Sequence, residues 1–229
     1  MRWVLVLGLV LAVAGCATNM RDPRRDRVPQ SEWQASSNRF AGVRDDSPVL
    51  IRIFKQERVL EMWRSDGTRF VKVRSFDICS VSGGLGPKKR EGDRQAPEGF
   101  YTVTRNMLNP RSIEWLSFNT GYPNAFDRSH GRTGSALMVH GGCSSRGCYA
   151  ITDGAMQDLY AAMRDAFAAG QRSVQLQIYP FRMTTNNMHW HAKDLNADFW
   201  QQLKAGYDRF ESTGQELDVS VIKGRYVVR

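Results

Sequence analysis

The stretch Val139-His140-Gly141-Gly142-Cys143-Ser144-Ser145-Arg146-Gly147-Cys148-Tyr149-Ala150 sets an imidazole and two thiols among small residues. A thiol becomes a strong nucleophile on losing its proton, and a neighbouring imidazole can take that proton and stabilise the resulting ion pair. His140 is therefore the candidate base and Cys148 the candidate nucleophile of a covalent acyl-transfer site. Gly141, Gly142 and Gly147 lack the Cβ that blocks positive φ, so the backbone can turn sharply and approach a substrate closely. The backbone N–H groups of Arg146, Gly147 and Cys148 are candidates to converge on a tetrahedral oxyanion, with Ser145 and Gly141 completing the loop. Against this stands the ordinary behaviour of the same residue types, a buried Cys being most often a small hydrophobe and a lone His a hydrogen-bonded structural group.

Such a loop needs rigid elements on both sides. Residues 135–139 form an apolar run of strand length before it, and Thr152-Asp153 offers an N-cap to a helical pattern after it. Met156, Leu159, Tyr160, Met163 and Phe167 recur at helical spacing up to Gly170, which reads as core packing. Leu195, Phe199, Leu203, Tyr207 and Phe210 stripe a second helix closed by Gly214. Residues 49–54, 59–63, 69–76 and 100–104 are short β-branched and aromatic runs parted by turn signals, as in a β-meander. Residues 111–119, 174–179 and 218–228 supply further strands. The fold class expected is mainly β with added helices (α+β).

The motif His-Gly, small residues, then Ser-x-Gly-Cys resembles the active site of the L,D-transpeptidase (YkuD-like) family, and Gly147-Cys148-Tyr149-Ala150-Ile151-Thr152-Asp153 is similar to its YafK branch. The segment from Gly84-Leu85-Gly86-Pro87 through Ala96-Pro97-Glu98-Gly99 resembles the family's stretch before a Phe-Tyr strand, and Tyr179-Pro180-Phe181-Arg182-Met183 matches the branch downstream. One position departs: the broader family carries a second His before the Gly-Cys, where this chain has Arg146. The resemblance implies a YkuD-like β-sandwich or barrel. It implies cysteine acyl transfer on peptidoglycan stem peptides, with hydrolytic release of murein-bound lipoprotein as the alternative and a non-catalytic wall-binding lipoprotein as a remote third.

The amino terminus reads as an address. Residues 1–15 pair one positive charge with an apolar core too short to span a bilayer, and end in Val13-Ala14-Gly15 before Cys16. That ending resembles a lipobox, implying cleavage before Cys16 and a lipid anchor that holds an exported, periplasmic protein to the outer membrane. Residues 16–46, rich in Arg, Asp, Ser, Pro and Asn, read as a flexible tether, leaving 47–229 as a single catalytic domain with a helical extension.

The chain carries 32 Lys+Arg against 23 Asp+Glu, a formal charge of +9. A basic exported protein suits an anionic wall polymer, and a nucleic-acid partner is not expected. Lys88, Lys89, Arg90 and Arg94, in a polar 88–99 segment read as an exposed loop, are candidates to receive a substrate carboxylate. Setting Cys16 aside leaves an odd number of thiols, Cys79, Cys143 and Cys148, so at least one stays unpaired in a monomer. Cys143 pairing with Cys79 and Cys143 pairing with Cys148 both remain open. His189 and His191, read on one side of a strand, find no firm third ligand, and His130 reads as a surface histidine. Neither metal nor cofactor is expected.

Overall fold

The structure, a computed structural model, describes residues 43–229. Cys16, the expected export signal and most of the expected tether lie outside the described residues. Residues 43–46, assigned to the tether, pack on the domain: Val43 is buried, and Arg64 Nη1 donates to the carbonyls of Arg44 and Ser47. The domain therefore begins at least by Val43.

Four long strands open the chain: β1 (Val49–Phe54), β2 (Val59–Ser65), β3 (Phe70–Val81) and β4 (Gly99–Thr104). Short strands β5 (Leu108–Asn109), β6 (Ser117–Asn119), β7 (Met138–His140) and β8 (Tyr149–Ile151) follow, then β9 (Ser173–Tyr179). They form one nine-stranded sheet in the order β4-β9-β1-β2-β3-β8-β7-β6-β5. Its two edge strands, β4 and β5, are joined through a single 3₁₀ turn, Arg105–Met107. That short connection brings the edges toward each other and curls the sheet into a nearly closed barrel, which limits exposed strand edge.

β1 is buried along its whole length, and its alternation feeds two cores. Val49, Ile51 and Ile53 face a core shared with helix α2 (Asp153–Ala168), whose Met156, Leu159 and Met163 are fully buried. Leu50 and Phe54 face a second core with helix α4 (Ala197–Thr213), through Phe199, Trp200, Leu203 and Phe210. Thr152 caps α2 by accepting from Ala155 N–H, and Gly214 ends α4 at φ 64°. Two short helices, α1 (Ala125–Ser129) and α3 (Thr185–Trp190), and a terminal hairpin, β10 (Val219–Ile222) with β11 (Arg225–Val228), complete the domain.

Several local expectations change. Leu195 is fully exposed and precedes α4, because Asn196 stands at the cap and the buried stripe starts at Phe199. Residues 111–119 are strand only from Ser117; Ile113 is 95% exposed on a loop. His189 lies in α3, with its N-cap at Thr184, and His191 caps that helix, stacking on Phe181 at 4.2 Å. The 88–99 segment is only partly exposed: Lys88, Ala96 and Glu98 are buried. Charge pairing makes that burial tolerable, with Lys88 Nζ on Asp93 Oδ1 at 2.6 Å and Glu98 Oε1 on Lys55 Nζ at 3.0 Å. Lys88 is thus a buried, paired cation and offers no free ammonium to a substrate.

Candidate active site

β7 and β8 run parallel, with His140 opposite Ala150, although only the loop from Gly141 to Cys148 joins them. The loop must double back along strands only three residues long, which brings Cys148 level with Met138 at the start of β7. Side chains alternate along strands, so Cys148, two residues before Ala150, falls on the same side of the sheet as His140, which stands on the neighbouring strand and two residues further along. The intervening residues Val139 and Tyr149 point the other way into the core.

His140 is buried, and its Nδ1 lies 2.6 Å from the Gly141 carbonyl. A carbonyl only accepts, so Nδ1 carries the proton and the neutral ring has its lone pair on Nε2. Cys148 is half-buried, and its Sγ accepts the Met138 N–H at 3.4 Å and lies 3.8 Å from the Ala136 carbonyl. Burial pushes the thiol above its ordinary range and Glu114 adds to the rise, while the Met138 N–H and the Lys88 charge pull the other way. At neutral pH the resting group is a thiol, so its reactivity needs a base. Nε2 of the fixed tautomer is a base of the right kind.

A disulfide between Cys79 of β3 and Cys143 fastens the loop across 64 residues of sequence, leaving Cys148 as the free thiol among the described residues. Cys79 sits where the β3–β8 register shifts, a bulge that lets the side chain leave the regular ladder. Serine hydroxyls complete the fastening. Ser145 Oγ donates to the Cys148 carbonyl at 2.7 Å and accepts the Cys148 N–H at 3.0 Å. Its single proton being spent, it accepts from Ser82 Oγ at 3.0 Å, and Ser82 Oγ accepts the Gly147 N–H at 2.7 Å. Gly142 N–H donates to Asp153 Oδ1 at 2.8 Å, and Gly141 N–H to the Leu116 carbonyl at 3.0 Å. Gly141 admits no side chain, since a Cβ there would stand 2.9 Å from Trp115 Cβ and 3.1 Å from the Glu114 carbonyl.

These bonds alter the expected oxyanion arrangement. The Gly147 and Cys148 N–H groups are committed to Ser82 and Ser145, because Gly147 at φ 122° turns this segment toward β3. Arg146 is exposed. Sequence reasoning missed Ser82, Asp153, Glu114 and the Met138 N–H. Asp153 carried a faint signal as the residue after the helix cap and Met138 lies in the strand-length run before the loop, whereas Ser82 and Glu114 come from segments distant along the chain.

Residues 48–176 match the YkuD model of the L,D-transpeptidase catalytic domain. The chain belongs to the YkuD L,D-transpeptidase family. It is 50% identical over 182 residues to YafK of Escherichia coli strain K12, spanning 80% of this chain and 74% of that one, and equally similar to YafK of strain O157:H7. Among solved structures it resembles the helical cell shape determining protein Pgp2 of Campylobacter jejuni, with TM-score 0.47 and 20% identity over 84% of this chain and 81% of that one. Bd1075 of Bdellovibrio bacteriovorus gives TM-score 0.41 and 20% identity over 79% and 66%. In this L,D-transpeptidase domain, His140 and Cys148 both fall within the matched span.

Proposed function

We propose that the protein is a cysteine acyltransferase of peptidoglycan stem peptides, with Cys148 as nucleophile and His140 as base. What supports this is the Gly141 carbonyl on His140 Nδ1, which leaves Nε2 unprotonated, together with the parallel pairing that sets Cys148, just before β8, beside the strand that carries His140. Nε2 takes the thiol proton as sulfur attacks the carbonyl carbon on the L-centre of diaminopimelate. The tetrahedral intermediate collapses with cleavage of the carbon–nitrogen bond, and His140 returns the proton to the departing amine, leaving a thioester on Cys148. An acceptor amine then loses its proton to His140 and displaces the thiolate, which is reprotonated. Loop fastening by Ser82, Ser145 and the disulfide supports the reading, since a nucleophile held in place loses little freedom on reaction.

With water as acceptor the same thioester is hydrolysed, and a murein-bound lipoprotein would be released. Lipidation at Cys16 and outer-membrane placement belong to the same proposal. No described helix is long and apolar enough to cross a membrane. The test is incubation of the purified protein and its Cys148→Ala variant with crosslinked and lipoprotein-bearing peptidoglycan, followed by mass spectrometry. New diaminopimelate-to-diaminopimelate links or exchanged termini that need Cys148 establish transfer, and loss of links without new ones establishes hydrolysis. Identical products from both proteins would overturn the assignment.

A further inference from the structure

The face that carries Cys148 continues past it. Met138 of β7 stands opposite Asn119 of β6, and both line a cavity of about 620 Å³ with Met107, Asn109 and Tyr122. A second cavity of about 360 Å³ shares Met107 and Gly121 with the first. Its walls include Val219, Val221 and Tyr226 of the β10–β11 hairpin and Arg128 of α1. The two cavities adjoin at Met107 and Gly121, so that together they form a groove from Met138, whose N–H meets Cys148 Sγ, to the terminal hairpin, which lies beyond the span matched to the family.

Two asparagines and an arginine of this groove keep donors in want of acceptors. Asn119 Oδ1 already accepts the Gly121 N–H at 2.8 Å, and Asn109 Oδ1 accepts the Arg111 N–H at 2.9 Å. Their Nδ2 groups have no partner among the described residues. Arg128 gives Nη1 to the Pro123 carbonyl and has further N–H groups to offer. No acidic residue lines either cavity. The hairpin turn adds charge at the far end, where Gly224, between Lys223 and Arg225, lies against His130. A ligand that fits must bring carbonyl oxygens along its length and an anion at its end, which describes an extended peptide with a carboxylate. A neutral glycan fits less well, because sugars favour an open aromatic face. The Tyr226 ring is stacked on Phe126 at 4.3 Å and meets Phe100 edge-on at 5.0 Å.

We propose that this groove binds an extended acidic peptide portion of the substrate, with Arg128 and the β10–β11 hairpin as its far subsite. The proposal rests on the acyl-transfer reading of Cys148 for its direction, and its test does not need turnover. The probe is a crosslinked dimer of stem peptides, titrated by calorimetry into the full-length Cys148→Ala protein, alongside the same dimer with its carboxylates converted to amides and an N-acetylglucosamine tetramer.

The acidic dimer should bind, and Arg128→Glu should weaken it about tenfold, as expected for a charge-assisted contact. Arg128→Lys should recover part of that loss. Amidation should weaken binding to the Arg128 protein and abolish the effect of the substitution. Val221→Glu, which sets an acid on the hairpin wall, should weaken the acidic dimer as well. Equal binding by Arg128 and Arg128→Glu proteins, or displacement of the dimer by the glycan tetramer, would overturn the groove assignment. Turnover at Cys148 with binding indifferent to Arg128 sinks the groove alone, whereas Arg128-dependent binding without any acyl-enzyme sinks the acyl-transfer reading alone.

Discussion

Arg52 in β1 and Cys148, in the loop just before β8, lie along the same sheet and are treated in opposite ways. The Arg52 guanidinium is fully buried, between 4.5 and 5.6 Å from the ring centroids of Phe210, Tyr207, Phe54, Tyr179 and Trp63, with Nη1 on Glu211 at 2.6 Å. Cys148 keeps only two sulfur contacts, at 3.4 and 3.8 Å, and remains half exposed. Around Arg52 the aromatic rings enclose the charge and hold it still, although its Nε and Nη2 find no hydrogen-bond acceptor among the described residues. Around Cys148 the bonds go to its backbone and loop, while the sulfur itself is left available. Rigid support with an under-contacted reactive atom is what a site of chemistry needs, and enclosure is what a stable core needs.

Substitutions at the two places should therefore fail differently. Cys148→Ala should reduce turnover of peptidoglycan at least about 10⁴-fold while its thermal unfolding midpoint stays near that of the parent; retained turnover would erase the contrast. His140→Gln keeps a polar side chain but no base, and should lower kcat by roughly 10²–10⁴-fold with a smaller change in KM. Arg52→Ala should act on stability, removing about 3–5 kcal/mol of unfolding free energy, read by denaturant titration. An Arg52→Ala protein as stable as the parent would show that the aromatic cage does not carry that core.

The disulfide belongs to both sides of the comparison, since it ties the reactive loop to the barrel. Cys79→Ser with Cys143→Ser should cost about 2–4 kcal/mol of stability. The same double variant should lower kcat more than it raises KM, because the loop rather than the substrate pocket loses its anchor. Unchanged kcat in a folded double variant would assign the bridge to stability alone. The smallest expected effect concerns protonation. The thiol is held above its ordinary range, so below its pKa the rate of Cys148 alkylation should rise about tenfold per pH unit, with its midpoint above that of a free cysteine. A midpoint below neutrality would instead indicate a preformed thiolate–imidazolium pair.

How much of this could be read from the chain follows from how local each cause is. Helix α2 was legible because its stripe, its Thr152 cap and Gly170 all lie within one short segment. The loop between His140 and Cys148 was legible because its glycines and cysteines lie within one short segment. The choice between Cys79 and Cys148 as partner of Cys143 was not, since a bridge across 64 residues depends on how β3 lies beside β8. Ser82 stayed hidden for the same reason, reaching Gly147 from 65 residues away. The burial of Lys88 and Glu98 was illegible because polarity points outward until a partner is known, and Asp93 and Lys55 supply those partners. Residues 189–191 were read as strand because the short α3 has too few turns to show a period.

The most direct test is to trap the acyl-enzyme. The wild-type protein is mixed with stem-peptide substrate, quenched in acid within seconds, digested, and mapped by mass spectrometry. Acyl transfer predicts a hydroxylamine-labile thioester on the peptide that contains Cys148, present in the wild type, depleted in His140→Gln and absent in Cys148→Ala. Full turnover with no adduct on Cys148, persisting in Cys148→Ala, would contradict it.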